Sequence, residues 1–447
     1  MYFIHKASKF SANVLLTTIL LLCAKSAISA SETPLQIYQF AVNNDPTLGA
    51  ANSVYQASIE NTEQVRGGLY PEINLIADIA RNREDVETNG VGTSGLTYFD
   101  SNMVQLRITQ ALYRKDIFSK IDIADAESQV AESEHKLAQQ NLIMRVVAAY
   151  FDVLSGQDDL AFSNAEKQAI YRQQQNIKRR YDVGKSTLTD LQEARASYAL
   201  SEAQLITAQD NNIDSLEGLS QLTGKKHLKV ARLSPTFFPD KLERSSLKYW
   251  VSLAEKNNPQ LLAARHSIQA LKHEIELQSA GHYPKLELVA KYREEDTGGR
   301  FGDSFTDDKS IGLELVIPIY KGGQINSKVR TANLKHNEAM HSLIKTHRAV
   351  LREIRKSHRT VKTSLNRIKA LKRAVVSAET ALTMIKKGYE VGTRTNADVL
   401  DAQREVFMAQ RDYLADKYNY IMNYLQLKNL TGTLTQDDLV IINKWFG

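Results

Sequence analysis

Cysteine is nearly absent from this chain. Its one copy, Cys23, lies in an apolar run near the N-terminus, so the chain is neither a disulfide scaffold nor a holder of cysteine-ligated zinc. Proline is scarce as well, with eight in 447 residues, which leaves room for very long helices. Beyond the N-terminal run, no stretch offers the ~20 consecutive apolar residues of a membrane-spanning helix. The phosphate-binding pattern GxxxxGK[ST] is missing, and Gly322-Gly323 reads instead as a tight turn from strand into helix. The histidines of "HSLIKTH" (341–347) and "HRAVLREIRKSH" (347–358) lack metal-ligand spacing. Together these absences argue against an enzyme, a cofactor and a bound metal.

Charge of one sign is in modest excess, +6, but no patch mixes basic and aromatic residues, so nucleic acid is not indicated as a partner. The basic clusters at Lys178, Arg179 and Arg180, at Arg352, Arg355 and Lys356, and at Lys369, Lys372 and Arg373 read as solvated helix faces. At the N-terminus, Lys6 and Lys9 precede the apolar run Val14–Ala24, and the small residues Ala27, Ser29 and Ala30 follow. This is the build of a secretory signal peptide, residues 1–30, with a mature chain starting near Ser31 and free of cysteine. A lipoprotein reading of "LLLCA" is disfavoured because Leu22 stands where a small residue is needed.

The chain repeats itself. "NNDPTL" (43–48) returns as "NNPQLL" (257–262) at an offset of 213, which Tyr70-Pro71 and Tyr283-Pro284 keep. "RYDVGKSTLTDL" (180–191) returns as "GYEVGTRTNADV" (388–399) at an offset of 208, as does Leu222-Thr223-Gly224 in Leu430-Thr431-Gly432. We therefore divide the mature chain into a first repeat, 31–225, a linker, 226–246, a second repeat, 247–433, and a tail, 434–447. Each repeat is expected to hold a helix (35–68; 246–281), two strands (69–83 and 102–112; 284–294 and 309–319), a very long helix (117–182; 325–390), a Gly-marked turn and a further helix (187–222; 395–430). Some 65 helical residues reach about 95 Å, more than a globular core can cover. Along the second long helix Ile354, Val361, Leu365, Ile368, Leu371, Val375, Leu382 and Ile385 step by threes, fours and sevens, the seam of a coiled coil.

The strands alternate. Ile73, Leu75, Ala77 and Ile79 share one side, and Glu72, Asn74 and Asp78 the other; Leu106 and Ile108, Leu286 and Leu288, and Leu313 and Leu315 continue the pattern. Strands of this kind fit a membrane barrel, apolar toward lipid and polar toward water, and the Gly-rich polar connections 83–101 and 294–308 fit its outer loops. A sheet packed on helices in a soluble protein is the competing reading. Four strands cannot close a barrel, which needs about eight. In lipid, then, several chains must pool them, because open edges would leave backbone groups unpaired.

"AYFDVL" (149–154), "YDVGKSTLTDLQEAR" (181–195), "IPIYKGG" (317–323) and "GYEVGTRTNADVLDAQ" (388–403), in this order on a duplicated chain with a signal peptide, resemble the TolC family of outer-membrane exit ducts over the whole mature sequence. The resemblance implies a mainly α fold with a small β part. It implies a homotrimer whose 12-stranded outer-membrane β-barrel, four strands per chain, continues into a periplasmic α-helical barrel of coiled coils. The implied function is a passive duct for efflux or type I protein secretion, opened by docking with a periplasmic adaptor (membrane fusion) protein and an inner-membrane ABC, RND or MFS pump. Outer-membrane lipid is its other neighbour. A soluble periplasmic scaffold or adaptor is the alternative.

By the same resemblance, Tyr389 and Arg394 latch a periplasmic gate to a neighbouring coil. Asp190 receives the arginine across the subunit boundary, with Thr189 beside it. Asp398 and Asp401 line the constriction as rings and form a possible cation site. Physical chemistry gives these residues reasons. An arginine fork suits a carboxylate. Residues three apart share a helix face. Crowded carboxylates raise one another's pKa and attract cations. Gly184, Gly388 and Gly392 are assigned to the turns, and a leucine is expected near the second ring position of the first turn, making the two turns unequal.

Overall fold

The computed structural model describes residues 31–87, 95–227, 229–239, 246–299 and 302–446. The expected signal peptide, part of the linker and the tips of both polar loops lie outside these residues. The chain divides into two compact units, and they are not the two sequence repeats. One comprises the described residues of Met1–Gly49, Ala138–Glu255 and Arg352–Gly447, the other Ala50–Leu137 and Lys256–Leu351. Each repeat contributes to both.

The first helix of each repeat, read as one element from the sequence, is two. Helices α1 (Pro34–Asn44) and α2 (Pro46–Gly67) open the first repeat; α5 (Leu247–Asn257) and α6 (Pro259–Ser279) open the second. Proline forces the preceding residue out of helical geometry. Asp45 (ψ 116°) and Asn258 (ψ 119°) are extended accordingly. Both serve as caps for the helix that follows, Asp45 Oδ1 accepting from Leu48 N at 2.7 Å and Asn258 Oδ1 from Leu261 N at 3.0 Å. The long helices are α3 (Lys115–Asp182) and α7 (Gln324–Glu390), followed by α4 (Leu188–Thr223) and α8 (Asn396–Leu430); α9 (Gln436–Asn443) closes the chain.

In the sheet-bearing unit, β1 (Glu72–Val86), β2 (Gly95–Arg114), β3 (Lys285–Thr297) and β4 (Ser304–Val316) form one antiparallel sheet in the order β1-β2-β3-β4. Strand β2 starts seven residues before the expected 102, because Gly95–Ser101 pairs fully with Val86–Ala80. Strand β4 ends at Val316, short of the expected 319, where Pro318 has no N–H to give the ladder. Register carries the apolar side across all four strands: Ile73 lies opposite Ile108, Ile108 opposite Ala290, and Ala290 opposite Ile311. One position along, Glu72's row continues through Thr109, Val289 and Gly312 on the other face. On the apolar face Ile79 is 84%, Ile311 75% and Leu75 71% exposed among the described residues.

The other unit buries its largest side chains around α3, α4, α7 and α8, among them Tyr150, Leu154, Leu219, Ile421 and Leu425. Tyr150 Oη donates to the carbonyls of Ala231 (2.7 Å) and Glu32 (3.0 Å), tying down the segments before α1 and after α4. The tail belongs to this core. Leu434, Leu439, Ile442 and Phe446 are buried in it, and Phe446 stands edge-on to Tyr150 at 5.5 Å. Within this unit the α7 seam is deepest at Ile354, Val361 and Ile368, while Leu371, Val375, Leu382 and Ile385 are half-buried. Between Val361 and Ile368 the buried position is Ser364 rather than the expected Leu365, which sits half-buried on the flank.

Candidate functional site

The two Gly-marked turns are built alike. Gly392 (φ +84°) and Gly184 (φ +74°) take the left-handed conformation that ends α7 and α3. Three residues later a threonine caps the next helix. The Thr395 side chain accepts from Asp398 N at 3.2 Å while Asp398 Oδ2 accepts from Thr395 N at 2.8 Å. Thr187 and Asp190 form the same reciprocal pair at 3.1 and 2.9 Å.

Gly388 has a different task from the one the sequence suggested. It is helical, and a Cβ placed there would come 2.8 Å from Arg394 Cγ, so its bareness makes room for the arginine stem. Thr393 N donates to the Gly388 carbonyl at 2.8 Å and seals the turn.

The matching capping boxes align Asp398 with Asp190, and therefore Asp401 with Glu193. The expected leucine is thus not at the second ring position, since both turns carry acids at both places. The inequality lies in the arginines. Gly388 corresponds to Arg180 and Arg394 to Ser186, so the first turn has its arginine before the turn and the second has it after.

Arg180, read from the sequence as solvated charge, is the functional candidate that reading missed. Its guanidinium carbon lies 4.9 Å from the centroid of the Tyr389 ring, joining the α3 end to the α7 end within one chain. Its Nε is buried without a hydrogen bond among the described residues. The available signal was its place in the repeat, opposite a glycine.

Asp190 Oδ2 accepts from Thr187 N, Thr187 Oγ1 (2.8 Å) and Ser186 Oγ (2.9 Å). These bonds, the Thr187 backbone first, hold its carboxyl below the usual range, and Arg180 adds a smaller push the same way. Thr189 is exposed beside it. Asp398 is likewise lowered, first by the Thr395 backbone N–H and last by the charge of Arg394. Within one chain, the cap therefore acts against the rise that crowding in a ring would cause.

Asp401 is exposed and meets Arg404 Nη1 at 3.3 Å. Arg394 is exposed; its backbone N–H donates to the Gly388 carbonyl at 3.3 Å, and its guanidinium makes no ion pair or hydrogen bond among the described residues. Below the turn, Asn396 is buried and accepts from Gln173 Nε2 at 2.7 Å, while Ile177, Leu191 and Ala194 form a small apolar cluster.

An uncovered apolar sheet face, long coiled-coil helices and paired capped turns define an outer-membrane channel protein. The outer membrane efflux protein family matches residues 37–225 and 250–433. The chain is 32% identical over 430 residues to the outer membrane protein TolC of Escherichia coli K12, covering 94% of this chain and 86% of that one. It is 28% identical over 413 residues to the alkaline protease secretion protein AprF of Pseudomonas aeruginosa, covering 91% and 85%. Among solved structures, the outer membrane protein VceC of Vibrio cholerae superimposes with a TM-score of 0.74 at 20% identity, covering 89% of this chain and 95% of the other. The chain belongs to the outer membrane efflux protein family and is an exit duct of the outer membrane, with a large periplasmic helical part.

Proposed function

We propose that three copies of the chain assemble into one passive duct. Its strands pool into a 12-stranded barrel and its helices form the periplasmic tube. The single observation that carries this reading is the open four-stranded sheet, apolar on one face and with β1 and β4 unpaired at its edges. Such edges need partner strands in lipid, and only closure removes them. The duct has no catalytic step and no cofactor.

Tyr389 and Arg394 latch the α7–α8 turn to a neighbouring subunit at Asp190 and Thr189, and Asp398 and Asp401 ring the mouth. Arg394 suits this role, its guanidinium being exposed and without an ion pair or hydrogen bond among the described residues. A periplasmic adaptor and an inner-membrane ABC, RND or MFS pump would dock and release the latch. Cargo is then set by the pump, whether a small molecule for efflux or a polypeptide for type I secretion, as the relatives' names suggest for themselves.

Reconstitution in a planar bilayer tests this. Tyr389 and Arg394 replaced together by small neutral residues should raise single-channel conductance well above the low current of the shut duct, and an unchanged current would remove the gate from these residues. Extraction tests the competing soluble scaffold: release of most of the protein from membranes in plain buffer would sink the duct.

A further inference from the structure

Two helices meet the sheet at its central strands. Strand β2 ends at Arg114 and α3 begins at Lys115; α6 ends at Ser279 and β3 begins at Lys285, with Arg114 and Lys285 paired across the ladder. Ion pairs hold this junction, Arg114 meeting both Asp116 and Glu287, and Lys285 meeting Asp116 at 3.6 Å. About two turns into α3, Asp122 stands beside His273 and Glu276 of α6. One nitrogen or oxygen atom from each of the three lies within 4.8 Å of the others, the one such convergence of His, Cys, Asp or Glu side chains among the described residues.

His273 and Glu276 are three apart and so share a helix face. Their Nδ1 and Oε2 atoms are 3.6 Å apart, too far for a hydrogen bond. Nδ1 is nevertheless buried, and it has no hydrogen bond among the described residues, a costly state for a ring nitrogen. Two ligands held at about 2.1 Å around a tetrahedral ion are themselves roughly 3.4 Å apart. The observed separation is thus long for a direct bond and right for a shared ion. Neither Asp122 nor Glu276 has a Lys or Arg partner among the described residues, so both carboxylates are free to bind a cation.

We propose that Asp122, His273 and Glu276 bind a divalent transition-metal ion of the zinc type, which staples α3 to α6 beside the sheet. The donor set selects the ion. Imidazole suits zinc and its neighbours, whereas calcium and magnesium take oxygen ligands and would leave Nδ1 without a partner. Three protein ligands leave a fourth position for water, which the exposure of Asp122 admits. The ion acts as a cross-link and takes part in no chemical step. Local spacing could not show this site, because Asp122 comes from the first repeat and the other two ligands from the second. The inference rests on neither the duct reading nor the gate.

Isothermal titration calorimetry on the full-length protein in detergent, without a histidine tag, tests the site. Asp398→Ala and Asp401→Ala are present throughout, so that the turn aspartates take no part. The metal-free protein should take up one Zn2+ per chain, and Asp122→Asn and His273→Ala should each weaken that uptake at least about tenfold. Co2+ bound in place of zinc should give visible absorption bands that His273→Ala abolishes. Circular dichroism verifies that the variants keep their helices. No zinc uptake, or unchanged affinity in either variant, overturns the proposal. So does displacement of zinc by an equal concentration of Mg2+ or Ca2+, which would reduce the cluster to ordinary surface charge.

Discussion

The guanidinium of Arg180 stacks over the ring of Tyr389, 4.9 Å from its centroid, and so links the last turn of α3 to the last turn of α7. The contact unites two residues that occupy neighbouring places in the two repeats, Arg180 before Tyr181 and Gly388 before Tyr389. A partly desolvated contact of this kind is worth about 0.5–2 kcal/mol. Arg180→Ala should therefore raise the shut-state conductance even with Arg394 intact, and Arg180→Lys should raise it less. Bilayer currents indistinguishable from wild type would confine the latch to Tyr389 and Arg394.

The two glycines of the second turn fail differently when given a methyl group. At Gly392 the left-handed φ of +84° makes Gly392→Ala cost about 1–2 kcal/mol whatever surrounds it. At Gly388 the obstacle is Arg394 Cγ at 2.8 Å, so Gly388→Ala displaces the arginine. Adding Arg394→Ala should rescue the thermal stability lost in Gly388→Ala and leave that of Gly392→Ala unrescued. Equal rescue of both would refute the division of roles.

Asp398→Ala combined with Asp401→Ala should abolish channel block by divalent or trivalent cations added on the helical side. Because Arg404 competes for Asp401 at 3.3 Å, Arg404→Ala should lower the blocking concentration. Current recordings against cation concentration read both effects, and persistent block in the double variant would place the cation site elsewhere.

Both capped aspartates have carboxyls held below the ordinary value of 3.8. A group lowered on folding contributes stability that is complete above its unfolded pKa and is lost as pH falls through the folded one. Thermal unfolding followed from about pH 6 to about pH 2 should thus show an added loss below 3.8, reduced in Thr187→Val and Thr395→Val, which lack the capping hydroxyl. A variant with the wild-type acid profile would show that the caps do not set it.

The tail has a core role. Phe446 is 8% exposed and meets Tyr150, so Phe446→Ala should lower stability by about 3 kcal/mol in chemical denaturation. Its conductance should stay that of a shut duct, since the tail core and the turns are separate clusters.

The sequence alone determined what depends on local chemistry. The turns followed from glycines and threonine–aspartate pairs, the strands from period-two alternation, the coiled coil from its seven-residue repeat, and the duplication from recurring phrases. Even the helix breaks at Pro46 and Pro259 were written there, in residues that lack an N–H, although the apolar periodicity on both sides hid them. Contact between residues distant in sequence had to come from the tertiary structure. It placed Arg180 on Tyr389, gave Gly388 to the stem of Arg394, and folded the tail against Tyr150. Periodicity states which face of an element is apolar or charged, but which side chain meets that face is decided only when the elements pack.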